Sequence, residues 1–329
     1  MITTTTSRIP LNTFAIGFGL AGFAEAWDAA GVSLRLTPIV GQAFWLGATV
    51  AWLWLLVAHT IRGARSDEPL AAQLHNPAQG PIASLAPITG MLISGELLSV
   101  APTVGLVLFV VTLMVAALFA AWLIAKWLQG GLALESVHGG YLLPTVAAGF
   151  IGSAVAAKAG LPLLGWGLFG VGGFFWVAMT LLLIIRLAFR PSLPDPLVPT
   201  MAILAAPPAV AGLAWFTLSG LHANVVSAMI AGLGVLFFLI QLALLPKYLK
   251  LDFSLGFWSF TFPAAAVVTD TFLWLRLMPT PVEEWGTAVL LGALTILIGS
   301  IGIRSLLAVF PQRRRRDAEN VLTLADLAD

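Results

Sequence analysis

The sequence predicts an all-α membrane protein with ten transmembrane helices, and three observations lead there. First, 59% of the 329 residues are hydrophobic and only 9% are charged, against about 25% charged in an average soluble domain. Second, the apolar runs are continuous and lack the period-two alternation of a membrane barrel, which selects helices. Third, the lysines and arginines divide unevenly between alternate connections. At about 20 residues per crossing, the runs fall near 11–27, 41–62, 81–100, 103–127, 140–159, 162–188, 198–220, 223–246, 253–275 and 285–309. Proline, glycine or charge marks each break: Thr37-Pro38, the 63–80 loop, Gly130-Gly131, Gly160 to Pro162, Pro191 to Pro196, Pro246 to Asp252 and Pro279 to Pro281. The expected division is a short N-terminal tail (1–10), a ten-helix domain (11–309) and a basic C-terminal tail (310–329).

The first segment, with Ala24 and Ala26 near its end, has the outline of a secretory leader, but its charged end is weak and it is expected to remain as a helix. Orientation follows from the cations. Arg8, Arg62, Arg65, Lys126, Arg186, Arg190, Lys247, Lys250, Arg304 and Arg313 to Arg316 lie at the termini or after even segments, leaving Arg35, Lys158 and Arg276 for the other side. Positive residues stay in the cytoplasm, so both termini are expected there, and the segment number is even. Arg313 to Arg316 also suit anionic lipid; nucleic acid is not an expected partner.

Segments three, five, seven and nine carry internal prolines (Pro87, Pro144, Pro207 with Pro208, and Pro263), and the first carries Gly17, Gly19 and Gly22. The even segments have no internal proline and are rich in leucine, valine and tryptophan. A proline inside a membrane helix frees a carbonyl and bends the axis, while glycine thins it. The pattern therefore predicts five helical hairpins, with kinked odd helices gathered around a pore and bulky even helices facing lipid. The ninth segment, DFSLGFWSFTFPAAAVVTDTFLWL, states this most strongly, with Phe262 before Pro263 and Asp270 near its far end.

Chemistry is narrowed by what is absent. There is no cysteine, hence no disulfide or thiolate site, and no H-E-x-x-H or Walker loop; no enzyme activity and no cofactor are expected. No lysine or arginine lies at mid-depth in an odd helix. Transit of an anion would then rest on oriented dipoles and hydroxyls such as Thr89, Thr145 and Thr261, with weak discrimination. Glu25, Glu96, Lys158 and Asp270 fall near the outer ends of odd helices and are expected to ring an external vestibule. His138 is expected in a loop before the fifth segment, and Phe257 and Phe260 in packing roles.

Five stretches in register, FAIGFGLAGFAEAW, HNPAQGPIASLAPITGMLIS, WLQGGLALESVHGGYLLPTVAAGF, MAILAAPPAV and LGFWSFTFPAAA, resemble the tellurite-resistance / slow-type anion channel / dicarboxylate transporter family over roughly residues 9–309. The resemblance implies five hairpins around a quasi-fivefold pore, a homotrimer and, for a bacterial member, the inner (plasma) membrane. It also places a pore-blocking phenylalanine at Phe262. The sequence departs from some members at Ala15, Gly17 and Pro263, which leaves the pore radius open. The expected function is a gated channel for small inorganic anions; the alternative is a secondary transporter of dicarboxylate, sulfite or tellurite-type oxyanions, with Glu25 or Asp270 as proton carrier.

Overall fold

The computed structural model describes residues 8–278 and 280–325, with side-chain surroundings through residue 308. Residues 1–7 of the expected tail and the side chains of Arg313 to Arg316 lie outside that description. The described chain is all-α. Its helices are α1 (Phe14–Leu34), α2 (Ile39–Ala64), the short α3 (Leu70–His75), α4 (Leu85–Val100), α5 (Pro102–Leu128), α6 (Ala148–Lys158), α7 (Pro162–Phe189), α8 (Ala206–Ser219), α9 (Val225–Tyr248), α10 (Thr261–Leu275) and α11 (Thr280–Ala325).

Among the described residues, eight helical stretches are long and apolar enough to cross a bilayer, so the protein is a multi-pass membrane protein. The stretches containing α1 and α10 fall outside that set, where the sequence reading counted them as crossings. The reason is their surroundings. α1 is enclosed by other helices and α10 is covered on all but one side, and a helix that mostly meets protein rather than lipid can carry glycine, threonine and carboxylates without the hydropathy that lipid contact demands.

Burial separates two classes. Within an 18-residue window of each stretch, 89% of the residues are buried in Asp195–Ser219 and 83% in Gly139–Lys158, against 6% in Val225–Tyr248 and 11% in Pro162–Phe189. Consecutive helices pack in pairs: α1 with α2, α4 with α5, α6 with α7, α8 with α9, and α10 with α11. The buried members also touch in sequence, α1 on α4, α4 on α6, α6 on α8, α8 on α10 and α10 on α1.

The buried helices are not uniform. Each α-helical part follows a tighter or wider lead-in. Leu11–Thr13, Pro81–Ser84, Asp195–Ala205 and Leu255–Phe260 are 3-10 turns before α1, α4, α8 and α10, and Gly139–Leu142 (3-10) with Leu143–Ala147 (π) precede α6. The prolines sit at these junctions. Pro87, Pro207, Pro208 and Pro263 lie in the first turn of their α-helices, and Pro144 in the π segment. This corrects the expectation of prolines breaking the middle of regular α-helices. A proline in the first α-helical turn suits a donor-poor junction, and the departure from regularity is a change of helix type. Nearby hydroxyls satisfy exposed carbonyls, with Thr261 donating to Trp258 O at 2.7 Å and Thr200 to Leu197 O at 2.6 Å.

Connections are pinned by side-chain to backbone bonds. Arg186, almost fully buried, donates to Glu135 O at 2.8 Å and Pro191 O at 2.8 Å, and Arg190 pairs with Glu135 at 3.2 Å. Arg8 donates to Glu68 O at 2.6 Å and Gly63 O at 3.2 Å.

Candidate functional site: two cavities and a phenylalanine between them

The helix-type junctions meet around one cavity. It is lined by Asn12, Ala15 and Phe18 from α1 and its lead-in, by Ile82 and Leu85, by Leu142, Leu143 and Phe150 around the start of α6, by Thr200, Pro207 and Val210, and by Trp258, Phe262 and Pro263. All five buried stretches contribute, each near the start of its α-helix. About 50 Å³ is open to water-sized molecules, room for a few waters at roughly 10–15 Å³ of such space each. No charged side chain lines it; its polar side chains are Asn12, Thr200 and Ser259. The amides opening α8 and α10 already bond to their lead-ins, Ala206 N to Ile203 O and Thr261 N to Trp258 O, so the positive ends of these dipoles lie at the starts of the lead-ins. The chamber is apolar and provides no cation that would hold an anion.

A second, smaller cavity of about 30 Å³ is lined by Glu25, Trp45, Leu92, Gly95, Glu96, Ile151, Ala154, Val155, Lys158, Val210, Leu213 and Phe262. Two residues line both cavities, Phe262 and Val210. Phe262 is 5% exposed and its ring stacks on Phe18, centroids 3.7 Å apart at 21°. Opposite it, Gly22 supplies the space. A Cβ at that position would lie 2.8 Å from the Phe262 ring and 3.3 Å from Ala265 Cβ, closer than side chains tolerate. The ring is thus held against α1, where it forms part of the wall of both cavities.

Three of the four charges expected at the vestibule are together. Lys158 and Glu25 approach to 4.0 Å, both partly exposed, and Glu96 lines the same cavity. Asp270 is elsewhere. It lines a separate groove with Trp274, Val235 and Leu290, lies against the backbone of Gly212, and its Oδ1 is buried with no hydrogen-bond partner. Sequence depth placed it level with Glu25, but depth does not fix the face of the helix, and Asp270 points away from the cavities.

Other expectations shift similarly. Pro207 and Pro263 line the central cavity; Pro87 and Pro144 are buried beside lining residues Leu85 and Leu143 but do not line it. Gly17 faces Trp52 and Thr89, and Gly19 faces Thr261 and Trp258, so both serve helix contacts rather than the cavity. Thr89 donates its hydroxyl to Leu85 O and Thr261 to Trp258 O, and neither these nor Thr145 line either cavity. His138 lies just before the Gly139–Leu142 turn, as expected of a loop residue, and is fully buried there. Its Nδ1 accepts from Gly140 N at 3.1 Å, capping the turn before α6. Its Nε2 is buried without a hydrogen-bond partner, and burial pushes its pKa down to about 4 against the opposing pull of the Pro77 and Ala78 backbone.

Some site residues escaped the sequence reading. Asp28 belongs to α1, which runs seven residues beyond the expected end, and it accepts from Trp45 Nε1 at 2.6 Å. Together with Lys158 and Glu25 it lies within electrostatic reach of Glu96. The signal was present in E-A-W-D, which places Glu25 and Asp28 one turn apart on a continued helix. Phe18 and Val210 carried no signal beyond being apolar. Among the described residues, no group of three or more His, Asp or Glu side chains is placed to hold a metal ion.

Residues 8–306 match the family model described as voltage-dependent anion channel (SLAC1). The chain belongs to this family. Relatives include the tellurite resistance protein TehA homolog of Haemophilus influenzae, 26% identical over 80% of each chain. The S-type anion channel SLAH2 of Arabidopsis thaliana is 22% identical over 93% of this chain and 60% of its own length. The guard cell S-type anion channel SLAC1 of the same plant is 22% identical over 83% of this chain and 50% of its own. The chain thus spans about half to three-fifths of the plant family members' length and four-fifths of the bacterial one's.

Proposed function

We propose that this family member is a gated channel for small monovalent anions, with the Phe262 ring as the closed gate. The observation that carries the reading is the placement of Phe262 between two cavities, one lined from all five buried stretches and the other by Glu25, Glu96 and Lys158. A phenyl ring across a narrow apolar passage excludes water and raises the cost of entry for a hydrated ion. The names of the plant relatives, S-type anion channels, support the same class.

In this reading the five consecutive pairs are hairpins, and ten crossings, including α1 and the α10 stretch, surround a quasi-fivefold pore. The closed circuit of contacts from α1 through α4, α6, α8 and α10 back to α1 supports it. Both termini are assigned to the cytoplasm from the cation distribution, the membrane to the bacterial inner membrane, and the functional unit to a homotrimer of parallel pores. The cavity bearing Glu25, Glu96 and Lys158 is then the external vestibule. Coupled transport of an oxyanion needs a titratable group at the barrier, and there the residues shared by both cavities are phenylalanine and valine.

Recording in planar bilayers tests the proposal. Wild type should pass little current, and Phe262→Ala should pass at least ten times more, with a reversal potential that follows the anion gradient. An unchanged conductance in a folded Phe262→Ala protein would remove the gate. Tracer exchange without current would replace the channel by a transporter.

A further inference from the structure

The packing of the exposed helices breaks its own pattern at one place. α2 lies against α4 as well as α1, α5 reaches α6, α7 reaches α8, and α11 reaches α1, so each is wedged over two buried helices. α9 packs on α8 and on the Asp195–Ala205 segment but has no comparable packing on α10. The back of α10 is therefore left open between α9 and α11. Two grooves fill this seam, of about 410 Å³ and 460 Å³, and they join at Phe238, Val267 and Val268.

The seam changes character along its length, and Asp270 lines it at the end away from Arg304, packed against Gly212. Its middle is apolar, walled by exposed Leu242, Leu245 and Leu297 over a floor of Ala264 and Val267. One end is polar and basic. Arg304 lines it beside Ser300, and Tyr248 donates to Gln241 at 2.7 Å. Among the described residues Arg304 makes no ion pair; its guanidinium stands 6.0 Å from the centre of the Phe253 ring. A basic end on an apolar trough complements an anionic head on a hydrocarbon tail. The floor has a second face as well. Pro263 lines both this seam and the central cavity, and the preceding residue is Phe262.

We propose that the α9–α11 seam is a binding site for an anionic phospholipid, with its phosphate at Arg304 and one acyl chain lying on α10, and that its occupancy holds the first turn of α10 so that Phe262 stays in place. The binding half stands alone; the effect on current rests on Phe262 being the gate. A lipid on the α10 backbone presses this turn towards α1, where Phe18 and Gly22 receive the ring. Loss of the lipid frees the turn, and the barrier falls.

Native mass spectrometry of the purified protein, titrated with phosphatidylglycerol and with phosphatidylcholine, reads the binding. Wild type should retain phosphatidylglycerol at least ten times more tightly. Arg304→Gln should erase the preference, and Leu297→Trp, an exposed position whose indole fills the trough, should weaken retention of both lipids. No preference in wild type, or a preference that survives Arg304→Gln, overturns the site. So does an efficient disulfide between copies through Val268→Cys in native membranes, since a second copy would then cover the seam. For the coupling, replacing phosphatidylglycerol by phosphatidylcholine should raise wild-type current several-fold and leave Arg304→Gln and Phe262→Ala unaffected. Binding with no such effect on wild type overturns the coupling. A Phe262→Ala variant that fails to gain current removes the gate while leaving the binding result intact.

Discussion

Gly22 and His138 show how much depends on single atoms. Adding one methyl at Gly22 puts it 2.8 Å from the Phe262 ring and 3.3 Å from Ala265, so the ring must give way. Gly22→Ala should therefore raise conductance towards that of Phe262→Ala, measured in the same bilayers; a current no larger than wild type would show that the ring yields without opening a path. His138 tests burial instead. Its pKa lies at about 4 in the folded protein because burial disfavours the imidazolium, against about 6.5 for a free histidine. Between these values the unfolded chain binds the proton and the folded one does not. Stability is therefore present in full above pH 6.5 and falls as the pH drops towards 4, by up to about 1.4 kcal/mol per pH unit. His138→Asn keeps a capping oxygen for Gly140 N and removes the titration. Its thermal midpoint in detergent should change less between pH 7 and pH 5 than that of wild type.

At the scale of elements, the contact between α1 and α10 sets the site, and it depends on Gly19. A Cβ there would meet Thr261 Cβ at 2.9 Å and the Trp258 indole at 3.2 Å. Gly19→Val should cost about 1–3 kcal/mol through overpacking. Gly47 on α2 is the matched contrast, with no atom within 4 Å of a Cβ. Gly47→Ala should be neutral or stabilising, by up to about 1 kcal/mol, because alanine loses less backbone freedom in a helix. Thermal unfolding followed by size-exclusion chromatography separates the two; equal effects would show that the α1–α10 approach has slack. The lead-ins matter at this scale too. Because the prolines lie at junctions between helix types rather than in the middle of α-helices, lead-in residues such as Leu142, Thr200 and Ser259 line the chamber together with the α-helical first turns.

For the molecule as a whole, selectivity and orientation follow from where charge is and is not. The central cavity has no cationic side chain, so an anion there is held by no fixed charge and is penalised for lost hydration. Nitrate and iodide, which shed water more easily, should permeate Phe262→Ala at least as well as chloride, and cations should be excluded. A strict preference for chloride in bi-ionic reversal potentials would demand a binding site that this chamber lacks. Orientation is directly testable because the chain has no cysteine. Gln129→Cys, beside Lys126, should react with an impermeant maleimide only from the cytoplasmic side, and His222→Cys only from outside; the opposite result inverts the assignment.

The sequence by itself determined the class and the family, because they are written in composition, in the order of motifs and in the length of apolar runs, which do not depend on distant contacts. It also singled out Phe262, through its place beside Pro263 in a resemblance that spans the chain. What only the tertiary structure decided was facing. Asp270 and Glu25 look equivalent along the chain, yet one points into a groove on the back of α10 and the other towards Lys158, since a few residues on a helix turn a side chain to another face. Gly17, Gly19 and Gly22 look interchangeable, yet they face α2 and α4, α10, and the Phe262 ring in turn. The open seam beside α10 was not legible at all. It arises from the packing that α9 does not make, and an absent contact between distant segments leaves no mark on either one.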